Sequence, residues 1–191
     1  ARIVPVPAGR SFELTGEARL SARTPDQVID ALVGLPPAAE GGVTASSSAR
    51  LPGDLAARAS SALDGDPTTA WTTPFVTPAG TWIAVETEDE QSVDRIELEV
   101  VADPRHSTPT SIDVQGDDGE PVTVDLPEIT PGDELGHTEA VTVDLPEEVT
   151  GSTIRVFLAT VDERTTTDWY SGQPTVLPVA IAELGIGEVS V

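Results

Sequence analysis

The 191-residue sequence holds 33 acidic residues against 10 basic ones, a net charge of −23 and a pI near 4.1. A surface this acidic repels phosphate backbones and anionic lipid, which excludes nucleic acid as a partner; it suits calcium and neutral ligands such as sugars. Cysteine is absent, so there is no disulfide or thiol chemistry, and no apolar run approaches the ~18 residues of a spanning helix. The chain starts at Ala1 with no leader-like pattern and is expected to be a soluble segment of a longer protein. Lysine and asparagine are missing and every cation is arginine, as in a GC-rich genome or a halophile.

In chain order, residues 10–22 (RSFELTGEARLSA) alternate imperfectly around a glycine and predict a strand pair or a bulged strand. Thr24-Pro25-Asp26 then predicts a helix start, with Thr24 as N-cap, Pro25 in the first position and an acid in the first turn. Val28, Ile29, Leu32 and Val33 share one face of that helix and Gly34 ends it. LPPAAEGG, residues 35–42, reads as a linker, which divides the chain into an N-terminal segment, 1–42, and a β region, 43–191.

A short helix is expected over residues 55–60. Strands are expected over 82–86, 93–101, 111–115, 122–126, 140–145, 153–161 and 178–186. The alternation is cleanest where Ile96, Leu98 and Val100 face one way and Arg95, Glu97 and Glu99 the other. Short strands punctuated by 16 glycines and 17 prolines indicate an all-β sandwich or jelly roll. VTVDLPE occurs at 122–128 and again at 141–147; two copies cannot build a solenoid and read as two strands with the same exit.

Residues 62–71, ALDGDPTTAW, carry the densest set of hard oxygen donors. Asp64 and Asp66 supply carboxylates two residues apart, Gly65 permits a tight turn between them, and Thr69 adds a hydroxyl and a carbonyl. An EF-hand is excluded: counting from Asp64, the glycine position holds Thr69 and the closing glutamate position holds Phe75. A calcium ion here needs a ligand from far away in sequence; without one the stretch is a plain turn.

No nucleophile elbow, dinucleotide fingerprint or metal-type histidine cluster is present, and His106 and His137 lie in separate loops. With 33 acids, carboxylate spacing says nothing about glycosidase chemistry, and catalysis by this chain is not expected.

ASSSAR, ALDGDPTTAW, TWIAVE, VDRIELEV and VAIAELGI occur in one order over residues 43–187. That order resembles the coagulation factor 5/8 C-terminal, or discoidin-type, domain and carbohydrate-binding modules of the galactose-binding-like fold. The resemblance implies a jelly-roll β-sandwich with a short helical N-terminal segment ahead of it. It also implies a structural calcium held by Asp64, Asp66 and Thr69, closed by Glu183 with the Ala182 carbonyl, and it places Trp71 and Trp82 in the core. More narrowly, DPRHSTP at 103–109, LPVAIAELG at 177–185 and residues 11–34 are similar to the soluble part of large actinobacterial α-(1→3)-arabinofuranosyltransferases. Those membrane enzymes build cell-wall arabinan. This resemblance implies an accessory module on the extracytoplasmic face of the membrane. Its partners would be arabinan or arabinogalactan and the other domains of the parent, with the transfer centre elsewhere.

Two loops offer sugar contacts. Arg105-His106-Ser107 presents guanidinium, imidazole and hydroxyl, which suit vicinal hydroxyls, or it is a surface turn between Pro104 and Pro109. In Thr165–Gly172 a Trp169 or Tyr170 ring can stack on a sugar while Asp168 accepts from a hydroxyl, or one ring plugs the sandwich. Phe75 is a third, weaker candidate. The alternative to a glycan module is a β-sandwich without a sugar site that packs on its parent's other domains. Exposure of Trp169 and Tyr170 separates the two readings.

Overall fold

Two long strands carry the architecture, and both are longer than the alternation predicts. In a computed structural model, which describes residues 15, 17 and 19–187, helix α1 (Asp26–Val33) leads through a short 3-10 turn to β1 (Val43–Ser47) and β2 (Trp71–Thr72). β3 (Trp82–Val101), β4 (Thr108–Gly116), β5 (Val122–Asp125) and β6 (Thr138–Asp162) follow, then the small hairpin β7 (Thr165–Thr167) and β8 (Pro174–Val176), and β9 (Ala180–Ile186). Seven strands form one antiparallel sheet in the order β2-β9-β3-β6-β4-β5, with β1 added beside β3.

That sheet folds over on itself. The first half of β3 pairs with β1 and the end of β6; its second half pairs with β9 and the beginning of β6. Register shifts between Glu86 and Gln91 and between Val93 and Arg95 mark the bend, where bulges raise local twist. The strands expected separately over 82–86 and 93–101 are therefore one strand, as are those over 140–145 and 153–161. The acidic run Glu88-Asp89-Glu90 is exposed and breaks the apolar period; the strand runs on through it, and its pairing with β6, left at Glu86–Thr153, resumes at Gln91–Gly151.

Ile83, Val85, Ile112, Val114, Ile154, Val156 and Leu158 from the first layer meet Ile96, Leu98, Val100, Val141, Val143, Ile181, Leu184 and Ile186 from the second in one core. Trp71 is fully buried there and its indole N–H donates to the Ala49 carbonyl at 3.1 Å. Trp82 departs from the core placement: it is only half-buried, with the Arg155 guanidinium 5.0 Å above its ring. Of the repeated VTVDLPE, the first copy ends β5 against β4 while the second continues through β6 against β3.

The strand pair expected over residues 10–22 falls mostly outside the described residues. In α1 the N-cap is Pro25 with no side-chain cap; the Thr24 carbonyl instead accepts from Arg50 Nη2 at 3.0 Å. Gly34 closes the helix in the left-handed region, φ 89°, as expected of a C-terminal glycine. The helix expected over 55–60 is a 3-10 turn at Ala59–Ala62. Among the described residues no helix is long and apolar enough to cross a membrane.

Candidate functional site

The acid-glycine-acid loop hangs between two fixed points. Ala62 and Leu63 are buried on one side and Trp71 on the other, and Gly65 takes φ 71°, where a side chain would be strained. Asp64 Oδ1 accepts the Asp66 N–H at 3.0 Å. The Asp66 carboxylate accepts the Thr68 hydroxyl at 2.6 Å and the Thr68 N–H at 3.0 Å, and these bonds hold its pKa below the usual carboxylate range.

The decisive geometry surrounds Thr69. Its hydroxyl oxygen lies 3.0 and 2.9 Å from the two Asp64 carboxylate oxygens, 3.0 Å from the Asp66 carbonyl and 3.2 Å from the Ser61 carbonyl. One hydroxyl proton cannot serve four acceptors. Three oxygens around it are therefore left without this proton; the Asp66 oxygen among them is its carbonyl, while its carboxylate is taken by Thr68.

The distant acid arrives through β9. The register of β9 on β3 steps from Glu99–Glu183 to Val100–Ile181, so Ala182 is the extra residue of a bulge and pairs with neither β3 nor β2. Ala182 packs outside the core beside Val101, and Leu184 returns to the core. Glu183 is thereby turned to the outer face, into an open groove of about 510 Å³ lined by Asp64, Gly65, Glu97, Glu99 and Thr142. Its Oε1 is buried and has no hydrogen-bond partner. Burial pushes the Glu183 pKa above its ordinary value of 4.5; the Gly65 N–H opposes this, and the charges of Asp64, Glu99 and Asp66 add to it.

An orphaned carboxylate oxygen in the groove that Asp64 also lines, together with the carboxylate and carbonyl oxygens around Thr69 in the same loop, is a donor set that suits calcium, which takes oxygen ligands only. Among the described residues no three His, Cys, Asp or Glu side chains converge at metal-ligand spacing, so an ion here would rely on the hydroxyl and carbonyls. The structure thus sets Asp64, Asp66 and Thr69 in one loop and Glu183, next to Ala182 in the bulge, in the groove beside Asp64 and Gly65, without converging the three carboxylates; it adds the Ser61 carbonyl at the Thr69 hydroxyl, which no side-chain pattern signals.

The raised Glu183 pKa has a signed consequence. The folded chain holds that proton more tightly than the unfolded chain, so without metal the contribution of Glu183 to stability falls as pH rises through the folded value. In EDTA, the melting temperature of the wild type relative to Glu183→Gln is expected to rise as pH drops from 7 toward the ordinary glutamate value of 4.5. An unchanged difference would show that Glu183 is not a desolvated acid.

The two ligand loops line different grooves. Asp103, which is buried, accepts the Arg105 N–H at 2.7 Å and the Gly136 N–H at 2.9 Å, and bonds His106 Nδ1 at 2.7 Å. Burial pushes its pKa up, but these bonds outweigh it and hold the carboxyl below the usual range. The His106 ring is thereby fixed in a groove of about 520 Å³ whose other wall includes Thr68, Thr69 and Asp54. Arg105 is exposed and does not line that groove. Ser107 is fully buried and donates to the Leu177 carbonyl at 2.7 Å, which removes it from any ligand role. Asp103 was not singled out from sequence; an acid followed three residues later by histidine is its only local signal.

At the β7–β8 hairpin, Trp169 is 90% exposed and Tyr170 85%, so neither ring plugs the sandwich. Their rings meet edge to face, centroids 5.9 Å apart. Trp169 and Phe75 flank a trough of about 560 Å³ with Thr166, Thr167, Gln173 and Thr175. Asp168 does not present a free carboxylate: it accepts from the Tyr170 N–H, the Ser171 N–H and the Ser171 hydroxyl, and so shapes the turn that displays Trp169.

Comparison with known proteins matches this arrangement. The chain is similar in structure to the family 32 carbohydrate-binding module of Clostridium perfringens NanJ, solved with galactose, at 18% identity and TM-score 0.50, covering 75% of this chain and 92% of that one. It is also similar to the CBM32-1 and CBM32-2 domains of Clostridium perfringens ZmpB, solved with GalNAc, at 16% identity and TM-score 0.53, covering 74% of this chain and 31% of that one. A third likeness is to arabinofuranosyltransferase AftD from Mycobacteria, at 20% identity and TM-score 0.63, covering 84% of this chain and 12% of that much longer one. Among curated proteins no sequence relative is found. The model of the F5/8 type C domain matches residues 42–174, which span both long strands and the acid-glycine-acid loop. By that match, and with a fold shared with carbohydrate-binding modules, the chain belongs to the F5/8 type C domain family.

Proposed function

We propose that this domain is a non-catalytic module that docks a neutral cell-wall glycan of the arabinan or arabinogalactan type, with one structural calcium bracing its loop end. The observation that carries the reading is Trp169, a large flat ring held 90% exposed by a turn built for it. Exposed aromatics of this kind stack on sugar rings, and the flanking threonine hydroxyls and Gln173 amide supply neutral donors and acceptors. With a net charge of −23, uronic or phosphorylated glycans are disfavoured.

The calcium reading rests on the oxygens around Thr69 and the orphaned Glu183 Oε1. Asp64, Thr69, Glu183 and the carbonyls of Ser61, Asp66 and Ala182 would hold the ion, which would neutralise the acids there and fix the loop. The arabinan assignment draws on the likeness to AftD and on the galactose and GalNAc seen with the other relatives. In this reading the domain is one part of a membrane-bound arabinofuranosyltransferase, on its extracytoplasmic face. A single shallow site binds weakly, between micromolar and millimolar, and acts by raising the acceptor's effective concentration near the transferase.

A ligand-observed NMR titration with short arabinofuranose and galactofuranose oligosaccharides in calcium buffer tests this. Saturable signal is expected. No signal up to ~10 mM, beyond weak-binding range, would remove the glycan role and leave a packing domain.

A further inference from the structure

The first layer carries two aromatic rings and an arginine on the side away from the core. Ile83, Val85, Ile154, Val156, Ile112 and Val114 point into the core. Their alternates Trp82, Phe157, Arg155, Asp113 and Gln115 therefore point out of the sheet. Register gathers these five into one patch. Trp82 of β3 lies directly opposite Phe157 of β6, which lies opposite Asp113 of β4. On the neighbouring row, Arg155 of β6 lies opposite Gln115 of β4. All five are half-buried. Two of the chain's seven aromatic residues thus sit on a face that is ordinarily polar in an antiparallel sheet.

Arg155 is the unusual member. Its guanidinium stacks 5.0 Å from the centre of the Trp82 ring. Its Nε is buried and has no hydrogen-bond partner, and it forms no ion pair among the described residues. Two acids are near enough to pair with it. Glu86 and Asp113 lie diagonally across from it on the two neighbouring strands. Neither does, and Asp113 instead accepts the Thr123 hydroxyl at 2.6 Å. In a chain with 33 acids, this cation is held on an aromatic ring and away from every carboxylate.

We propose that this sheet face is a second glycan site, which takes an uncharged oligosaccharide laid across β3, β6 and β4. A ligand here must bring acceptor oxygens to Arg155 and must tolerate Glu86 and Asp113 beside it. A carboxylate or phosphate meets the first need but is repelled by the two acids and by a net charge of −23. Hydroxyl groups meet both, because each can accept from a guanidinium and donate to a carboxylate. The apolar face of a sugar ring rests on Phe157 and on the stacked Trp82–Arg155 pair. The patch shares no residue with the hairpin trough. Its ligand class follows from the charges at this face, so it does not depend on the role given to Trp169.

Protein-observed NMR in a Trp169→Ala background, which removes the hairpin platform, tests this face. The probes are neutral hexasaccharides of arabinofuranose, galactofuranose and glucose, with oligogalacturonate as the charged control. Saturable shifts of the Trp82 indole N–H and of the Arg155 and Phe157 amides are expected with a neutral probe below ~10 mM. Arg155→Met keeps the packing over Trp82 and loses the donors, and it should weaken this binding at least about fivefold. The same change removes an unpartnered buried N–H, so the melting temperature should not fall. If Arg155→Met does not fold, Arg155→Lys keeps the charge, loses the planar fork and should weaken binding in the same direction. No shift at these three positions with any neutral probe overturns the proposal. So does tighter binding of the galacturonate, which would make the face a carboxylate site. A chain that sediments as a dimer, made monomeric by Phe157→Asp, would give the face to a second copy and overturn it as well. In the wild type, shifts at the hairpin alone would leave only the Trp169 reading, and shifts at the sheet face alone would leave only this one.

Discussion

Addition of calcium at about a hundredfold excess over its Kd is expected to raise the melting temperature by roughly 5–10 °C over the same sample in EDTA. The expectation follows from linkage: an ion that binds only the folded chain stabilises it by about 2.7 kcal/mol at that excess. Loop closure alone does not require the oxygens that converge on Thr69, and no protein donor reaches Glu183 Oε1. Asp64→Ala and Glu183→Gln should each abolish the calcium-dependent shift. Their EDTA melts should differ in sign: Glu183→Gln removes a desolvated charge and should melt no lower than the wild type, whereas Asp64→Ala removes the acceptor of the Asp66 N–H and should melt lower. Identical melts with and without calcium would leave the loop a plain turn.

Trp169→Ala should weaken glycan binding at least about fivefold while leaving the melting temperature unchanged. The ring is almost wholly exposed, so its removal opens no cavity, and the turn beneath it is held by Asp168 and not by the indole. Loss of one stacking ring costs on the order of 1–3 kcal/mol, taking the nucleobase–aromatic range as a guide, and a millimolar ligand cannot absorb that. NMR titration of the variant checks it. Retained binding would move the site to the His106 groove, where His106→Ala would then be the variant that loses it.

The loop at Asp64–Thr69 was legible as a cluster of oxygen donors because they are close in sequence and its anchor, Trp71, is a single conspicuous residue. Glu183 was not legible from spacing. The bulge at Ala182 that turns it outward exists only once β9 has paired with β3, and it entered through family resemblance. The helix shows the same limit. Periodicity groups Val28, Ile29, Leu32 and Val33 on one face, of which only Ile29 is buried, and does not say which way the helix turns. Arg50 and Arg58, more than twenty residues downstream, decide it by drawing Asp26 and Asp30 inward. The bend in β3 was hidden for a different reason: exposed acids interrupt an apolar pattern, and the resumption of pairing with the same partner strand beyond them has no sequence signature. At the hairpin, the sequence put Trp169 and Asp168 together as ligand groups. The structure separates their roles into a displayed ring and the turn that displays it.

The continuity of β3 and β6 through both layers bears on how the domain carries load. Two separate sheets held only by their side chains can slide or peel apart along the core under tension. Here the same two backbones run through both layers, so parting the layers means unzipping ladder hydrogen bonds that extend from Trp82–Phe157 to Val101–Thr138. In the proposed function, a pull on a glycan stacked at Trp169 would enter through the β7–β8 hairpin, whose base is tied to the loop between β3 and β4 by Ser107, and would be shared between the layers before reaching the chain ends.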